Sequence, residues 1–265
     1  MTGRRSDAQL ALAVGEIARE GGQLALAKFR TEVDKWEKSP GNFVCEVDLA
    51  VNELLHERLS ALVPDAGWLS EETVDNEHRL AHDRIWVVDP IDGTRDYLRG
   101  REGWAVSIAL VERARPVIAV LDAPARGEHW TAIAGQGAWR DGAALRASDL
   151  ATLAGARTPA DALPRADRDM VTVCKPNSIA LRIAMVAAGE ADLLATIRWG
   201  NEWDIAAATL IACEAGAVVT DALGKPLRFN TPRGQAFGVL ATAPGIHDAA
   251  VMRLRNRAVA ALGRR

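Results

Sequence analysis

Cysteine is scarce in this chain and forms no pattern: Cys45, Cys174 and Cys213 are odd in number, widely spaced and never part of a Cys-x-x-Cys pair. That excludes a disulfide framework and points to reduced thiols in a reducing compartment, each expected as a small core residue. No apolar run reaches membrane-spanning length, and the polar start MTGRRSDAQ lacks a signal-peptide pattern, so a cytoplasmic protein is expected. An excess of positive charge is also missing. The formal net charge of -3 argues against nucleic acid as a bulk electrostatic partner. There is no internal repeat and no low-complexity tract. What remains is a chain of 265 residues, 49% of them hydrophobic, long enough to bury a large core. We expect one domain, 1–265, of two subdomains near 1–146 and 147–265, with the Ala-, Pro-, Asp- and Arg-rich stretch 147–169 at their boundary.

In chain order, residues 7–30 read as a helix, since Leu10, Val14, Ile17, Leu24 and Ala27 recur at helical spacing; Gly21-Gly22 is expected to kink it. A polar connector, 37–42, precedes residues 43–48 and a second amphipathic helix, 49–62. Residues 68–72 read as a short strand ending in carboxylates. Strands are then expected at 104–111, 116–121, 129–133 and 138–139. Beyond the boundary, strands 170–174, 192–197, 218–220 and 234–241 alternate with helices 178–188, 204–215 and 247–262. A strand-rich middle followed by this alternation places the chain in the α/β class with stacked layers.

The chemistry is expected in IWVVDPIDGTRD, residues 85–96. The apolar residues 85–88 read as a buried strand that runs into Asp89-Pro90-Ile91-Asp92-Gly93-Thr94. Proline fixes its own φ and keeps Asp89 out of the helical region, so the chain extends, then turns, and two carboxylates meet at one bend. Gly93 lets the backbone approach a ligand, and Thr94 opens a helix whose free N–H groups can face an anion. Acids beside such a helix start call for a cation between them, hence a divalent metal and a phosphate. Magnesium takes hard oxygen ligands and keeps several waters, so Glu71, Asp89, Asp92 and the Ile91 carbonyl are candidate ligands. One more acid from the second half is needed. Asp204, in Trp203-Asp204-Ile205-Ala206, is the candidate, although Asp at a helix start is also a common N-cap.

Residues 89–94 resemble, without a mismatch, the DPIDGT signature of the inositol monophosphatase superfamily of metal-dependent phosphatases. WDIAAA (203–208) resembles its second signature, Ser70-Glu71-Glu72 its Glu-Glu element and Val47-Asp48-Leu49-Ala50 its early Asp element, in one order over nearly the whole chain. The resemblance implies a layered α/β/α/β/α sugar-phosphatase fold, hydrolysis of a phosphate monoester with two or three Mg2+ ions, and inhibition by lithium. It makes Glu71, Asp89, the Ile91 carbonyl, Asp92 and Asp204 the metal ligands, with Asp89 bridging two ions; spacing alone does not separate Glu71 from Glu72, and the resemblance selects Glu71. Thr94, with Asp48 or Glu71 behind it, would orient and activate the attacking water, and the Gly93 and Thr94 N–H groups would hold phosphate oxygens. There are two departures. Cys45 stands where many relatives have threonine, so that hydroxyl's hydrogen bond is expected to be lost. Ser178-Ile179-Ala180 replaces Gly-Ser-Ser or Gly-Ser-Ala in a loop that contacts substrate in relatives.

Arg95-Asp96-Tyr97 after Gly-Thr, together with Ser70-Glu71-Glu72, resembles the CysQ-type 3′(2′),5′-bisphosphate nucleotidase branch, whereas inositol monophosphatases usually show Thr-Asn-Phe there. An enzyme that removes the 3′-phosphate of adenosine 3′,5′-bisphosphate must hold a second phosphate. Arg95, Arg99, Arg101, Arg182 and Arg228 are available for it, with Ser178 on the substrate loop. The alternatives are an inositol-1-monophosphatase or related sugar-phosphate phosphatase and, from another class, a regulatory binding protein that keeps the fold without catalysis. The expected partner is a small phosphorylated molecule, and the expected state a monomer or homodimer. Trp104, Trp139, Trp199 and Trp203 either fill core or wall the pocket.

Overall fold

The computed structural model describes residues 6–39 and 42–263. Helix α1 (Asp7–Lys28) opens with a reciprocal cap between Ser6 and Gln9 and runs unbroken through Gly21-Gly22. Those glycines serve packing: a Cβ on Gly21 would stand 3.2 Å from Leu55, and one on Gly22 only 2.0 Å from Asp122 Oδ2. The expected polar connector is a hairpin instead, β1 (Lys35–Ser39) paired antiparallel with β2 (Asn42–Cys45); Pro40 and Gly41 lie outside the described residues. Helix α2 (Glu46–Leu62) starts three residues before the expected point, because Asp48 accepts the Cys45 N–H at 2.8 Å and so belongs to its first turn.

The first half then builds one sheet from β3 (Gly67–Ser70), β4 (Arg84–Asp92), β5 (Ala105–Glu112), β6 (Arg115–Ala123), β7 (Glu128–Ile133), β8 (Gly137–Arg140) and β9 (Ala143–Ala144), with the short helix α3 (Thr94–Leu98) after β4. These seven strands lie in sequence order, and only β3 and β4 pair in parallel. In the second half β10 (Arg157–Pro159) pairs with β11 (Val171–Val173), followed by α4 (Ile179–Ala187), β12 (Leu193–Asn201), α5 (Ala206–Glu214), β13 (Val218–Thr220), β14 (Gln235–Thr242) and α6 (His247–Leu262). A second sheet has the order β12-β14-β13.

Packing stacks these elements in five layers: α1 with α2, the seven-stranded sheet, α4 with α5, the three-stranded sheet, and α6. The expected α/β/α/β/α arrangement is thus present. Strand β4 is buried on both faces, which explains its unbroken apolar run. Period-2 geometry sends Trp86 and Val88 into the cluster beneath α1 and α2, and Ile85 and Val87 into the one beneath α4 and α5. That second cluster draws on residues from both sides of position 146. Alanines 206, 207, 208 and 212 are fully buried, and their small size lets α5 sit between two sheets. Cys45 is buried, but Cys174 and Cys213 are exposed, against the expectation of three core thiols. No helix among the described residues is long and apolar enough to cross a membrane.

Candidate metal and phosphate site

The parallel register Ser70↔Val88 carries the chain on so that Glu71 comes beside Asp89, and the Glu71 N–H donates to the Val88 carbonyl at 3.3 Å. Strand β4 loses register with β5 between Asp89 and Asp92. Pro90, which has no N–H to give the ladder, sits in that break. The Ile91 N–H donates back to Asp89 Oδ1 at 3.0 Å and holds the bend. Gly93 follows with φ +100, where a Cβ would meet the Gly103 carbonyl at 2.6 Å and Ser178 N at 2.9 Å. Only glycine fits there, and its fit presses the turn against the start of α4.

Asp204 arrives from the other half. Helix α5 begins at Ala206 with Ile205 as its N-cap, so Asp204 is not the cap residue. Its carboxylate meets those of Glu71 and Asp89 instead, one oxygen from each lying within 4.8 Å of the others. Burial, then the charges of Glu71, Asp92 and Asp204, pushes the Asp89 carboxyl well above the usual carboxylate range. Asp204 is raised likewise by burial and by Asp92 and Glu71, and Glu71 is pushed up to about 7, chiefly by burial, with Lys38 opposing. Three mutually repelling oxygen donors, with neither nitrogen nor sulfur among them, match a hard divalent cation such as magnesium.

Asp92 shares the cavity but is engaged differently. Its Oδ2 accepts from Ser178 Oγ at 2.5 Å and Ala180 N at 2.7 Å, and its Oδ1 from Ile179 N at 3.3 Å, so it anchors the N-terminus of α4. A carboxylate has about four lone-pair sites, which leaves Asp92 capacity for a cation as well. Ser178 is corrected by the same contacts. It is fully buried, its hydroxyl serving Asp92 and the Leu181 N–H, while Asn177 and Ile179 on either side line the cavity.

On the far side of the turn, Thr94 Oγ1 lies 3.3 Å from Asp48 Oδ1 and 3.0 Å from the Ile91 carbonyl. Asp48 Oδ2 accepts from the Cys45 N–H and, at 2.9 Å, from its thiol. The hydrogen bond expected to vanish with threonine is therefore made by sulfur, whose thiol is pushed up to about 12 by burial and by Asp48. Burial also raises Asp48 to about 6. Lys38, on the hairpin, places Nζ 3.8 Å from Glu71 Oε1 and donates to Glu72 Oε1 at 2.5 Å. Glu72 is thus tied to lysine, while Glu71 belongs to the acidic cluster.

These groups open on a cavity of about 500 Å³. Arg95 and Arg182 line it, joined by Lys175, Arg198 and Phe43, which the sequence did not single out; Arg99, Arg101 and Arg228 are not among its lining residues. Arg182 donates Nε to the Pro176 carbonyl at 2.7 Å and Nη2 to that of Asn177, and so shapes the loop. None of Trp104, Trp139, Trp199 and Trp203 lines the cavity. Trp104 instead packs edge-on to Tyr97 in the core.

The chain matches the model of the inositol monophosphatase family over residues 4–260. It is 29% identical over 259 residues to Inositol monophosphatase 2 of Solanum lycopersicum, covering 91% of this chain and 96% of that protein. It is 32% identical over 236 residues to the 3′(2′),5′-bisphosphate nucleotidase CysQ of Escherichia coli O157:H7, covering 83% and 93%. Among solved structures, the Thermotoga maritima IMPase superposes with a TM-score of 0.79 at 29% identity, covering 93% of this chain and 96% of that one.

Proposed function

Because this chain belongs to the inositol monophosphatase family, we propose that it hydrolyses phosphate monoesters with magnesium and that its substrate is adenosine 3′,5′-bisphosphate. The observation that carries this reading is the meeting of opposite charges in one cavity, which is lined by the cluster of Glu71, Asp89 and Asp204 and also by Arg95, Lys175, Arg182 and Arg198. A cleaved phosphate needs the acidic cluster and an uncleaved one the cations. Arg198 supports it most directly, being exposed at the cavity with no hydrogen bond or ion pair to its side chain among the described residues.

Glu71, Asp89, the Ile91 carbonyl, Asp92 and Asp204 are the groups that would hold magnesium. When bound, magnesium neutralises charge on the transferring phosphoryl group and makes water more acidic. The chain supplies the positioning. Thr94 Oγ1, oriented by Asp48 and the Ile91 carbonyl, holds the attacking water through its lone pairs. Asp48, near 6, is ionised at neutral pH yet close enough to it to accept a proton through Thr94. The Gly93 and Thr94 N–H groups hold phosphate oxygens at the start of α3.

Phosphate release from adenosine 3′,5′-bisphosphate and from inositol 1-phosphate, each with and without magnesium, tests the reading. We expect magnesium-dependent, lithium-sensitive release with the higher kcat/KM on the bisphosphate. Arg198→Ala should raise KM for the bisphosphate roughly tenfold to a hundredfold and spare inositol 1-phosphate, because a charge-assisted contact to phosphate is lost only from the former. A preference for inositol 1-phosphate would favour the inositol monophosphatase reading, which the similarity to the Solanum lycopersicum protein supports. No release from any phosphate ester would favour a regulatory binding protein.

A further inference from the structure

Outside the cavity, a hydrogen-bonded network built on the buried Arg79 and Glu202 joins the segments that carry the cluster's acids. Arg79, on the one-turn helix His78–Ala81 between β3 and β4, is 2% exposed. Its Nε donates to both Asp75 oxygens at 3.0 and 3.1 Å and its Nη2 to Asp75 Oδ2 at 2.6 Å. Nη1 donates across the molecule to Asn230 Oδ1 at 2.7 Å, Nη2 to the Pro232 carbonyl at 3.4 Å, and Asn230 Nδ2 returns a bond to the Arg79 carbonyl at 3.2 Å. The Asn230 N–H then donates to Glu202 Oε2 at 2.6 Å, while Thr231 gives Glu202 Oε1 its N–H at 3.0 Å and its hydroxyl at 2.5 Å. Glu202 is fully buried, and its carbonyl accepts from Ile205 N at 3.1 Å and Ala206 N at 2.9 Å, closing the turn that holds Asp204.

The network starts four residues after Glu71 and ends two residues before Asp204, yet neither Arg79 nor Glu202 lines the cavity. An apolar contact would hold the two halves together at lower desolvation cost, whereas fixed charge-assisted bonds specify distance and direction. The cluster needs that specification, because its carboxylates repel one another while magnesium demands near-ideal octahedral placement of its oxygens. We propose that Arg79 and Glu202 are positioning residues that set the separation of Glu71 and Asp204 against this repulsion, and thereby the affinity of the site for divalent cation. The proposal rests on the metal-site reading above.

The test reads cation affinity directly, by Mn2+ titration followed through the electron paramagnetic resonance of free Mn2+, on wild type, Glu202→Gln and Thr231→Val. Glutamine keeps the shape of Glu202 but turns one acceptor toward a donor. It should weaken Mn2+ binding by about tenfold or more while KM for the phosphate ester at saturating metal stays put. Thr231→Val, which removes one hydroxyl bond, should weaken it by a smaller factor with the fold intact. Unchanged affinity in folded Glu202→Gln would overturn the proposal. Should that variant fail to fold, Thr231→Val decides in the same way. A wild type that binds no Mn2+ would sink the metal reading itself and this inference with it.

Discussion

Two sets of buried carboxylates in this molecule have opposite electrostatics. Asp192, 3% exposed, accepts from Ser148 Oγ at 2.6 Å, from Arg157 N and Nε at 2.8 Å each, and from Arg157 Nη2 at 2.7 Å. Burial pushes its carboxyl up, but these donors outweigh burial and hold it below the usual range. Asp89, 2% exposed, has one backbone N–H and a ring of other acids, and is raised well above that range. Burial is common to both, so burial is not what marks a functional acid. Asp192 has its positive charge supplied by the chain, from Arg157, whereas Asp89 and its neighbours would be completed by a cation from solution.

The widest separation of the two sets should come from Asp89→Asn. Turnover should fall by about a thousandfold, as expected when a group stabilising developing charge is lost. The metal-free protein should melt no lower, since a charge leaves a repelling group. Substantial turnover at saturating magnesium would break the comparison. The mirror change, Asp192→Asn, should cost about 2–3 kcal/mol in denaturant unfolding with kcat and magnesium dependence unchanged. A shift in magnesium dependence would show that Asp192 belongs with the cluster.

Protonation sharpens the same contrast. Glu71 is raised from 4.5 to about 7 and Asp48 from 3.8 to about 6, so between those limits the folded state binds more protons than the unfolded. The contribution of these two groups to the stability of the metal-free protein is therefore full at low pH and is lost as pH rises through about 4 to 7. Metal binding runs the other way, because the acids must lose protons to become ligands. Thermal melts at pH 5.5 and 8 should show the apo protein lower at pH 8 by on the order of a few degrees, with saturating magnesium closing the gap. An apo protein more stable at pH 8 would refute the assignment. The smallest effect should come from Cys45→Ser, whose hydroxyl is a stronger donor to Asp48 than the thiol: the acidic limb of the kcat/KM profile should move to lower pH, with a rate change within about tenfold. An unmoved limb would mean that Asp48 does not set it.

Local chemistry made much of this legible in the sequence. The bend at Asp89-Pro90, the helix start at Thr94 and the buried run before them are dictated by residues adjacent in the chain, and they fell where expected. Asp204 was reached through a resemblance, since its own neighbourhood reads equally well as a helix cap. What escaped depends on pairings across the fold. Ser178 looked like a loop residue facing substrate because its partner, Asp92, lies 86 positions away. Lys38 reaches Glu71 and Glu72, and Arg198 reaches the cavity, only through the placement of the hairpin and β12. The early start of α2 was missed because cysteine is not among the usual N-cap residues, and here the cap comes from Asp48 reaching back.

Glu71 and Asp89 lie in the first half of the chain and Asp204 in its last quarter, so the cluster does not exist until the C-terminal half has docked. During synthesis the early acids emerge with the sheet long before the third arrives. Closing so long a loop costs little extra, since each doubling of length adds only about 0.6 kcal/mol of entropy. The delay is one of time: a pairing this distant in sequence forms late, after local hairpins and helices. Cation binding would therefore report that both halves have come together, and a chain cut before Trp203 would keep its first signature intact yet have nothing with which to close the site.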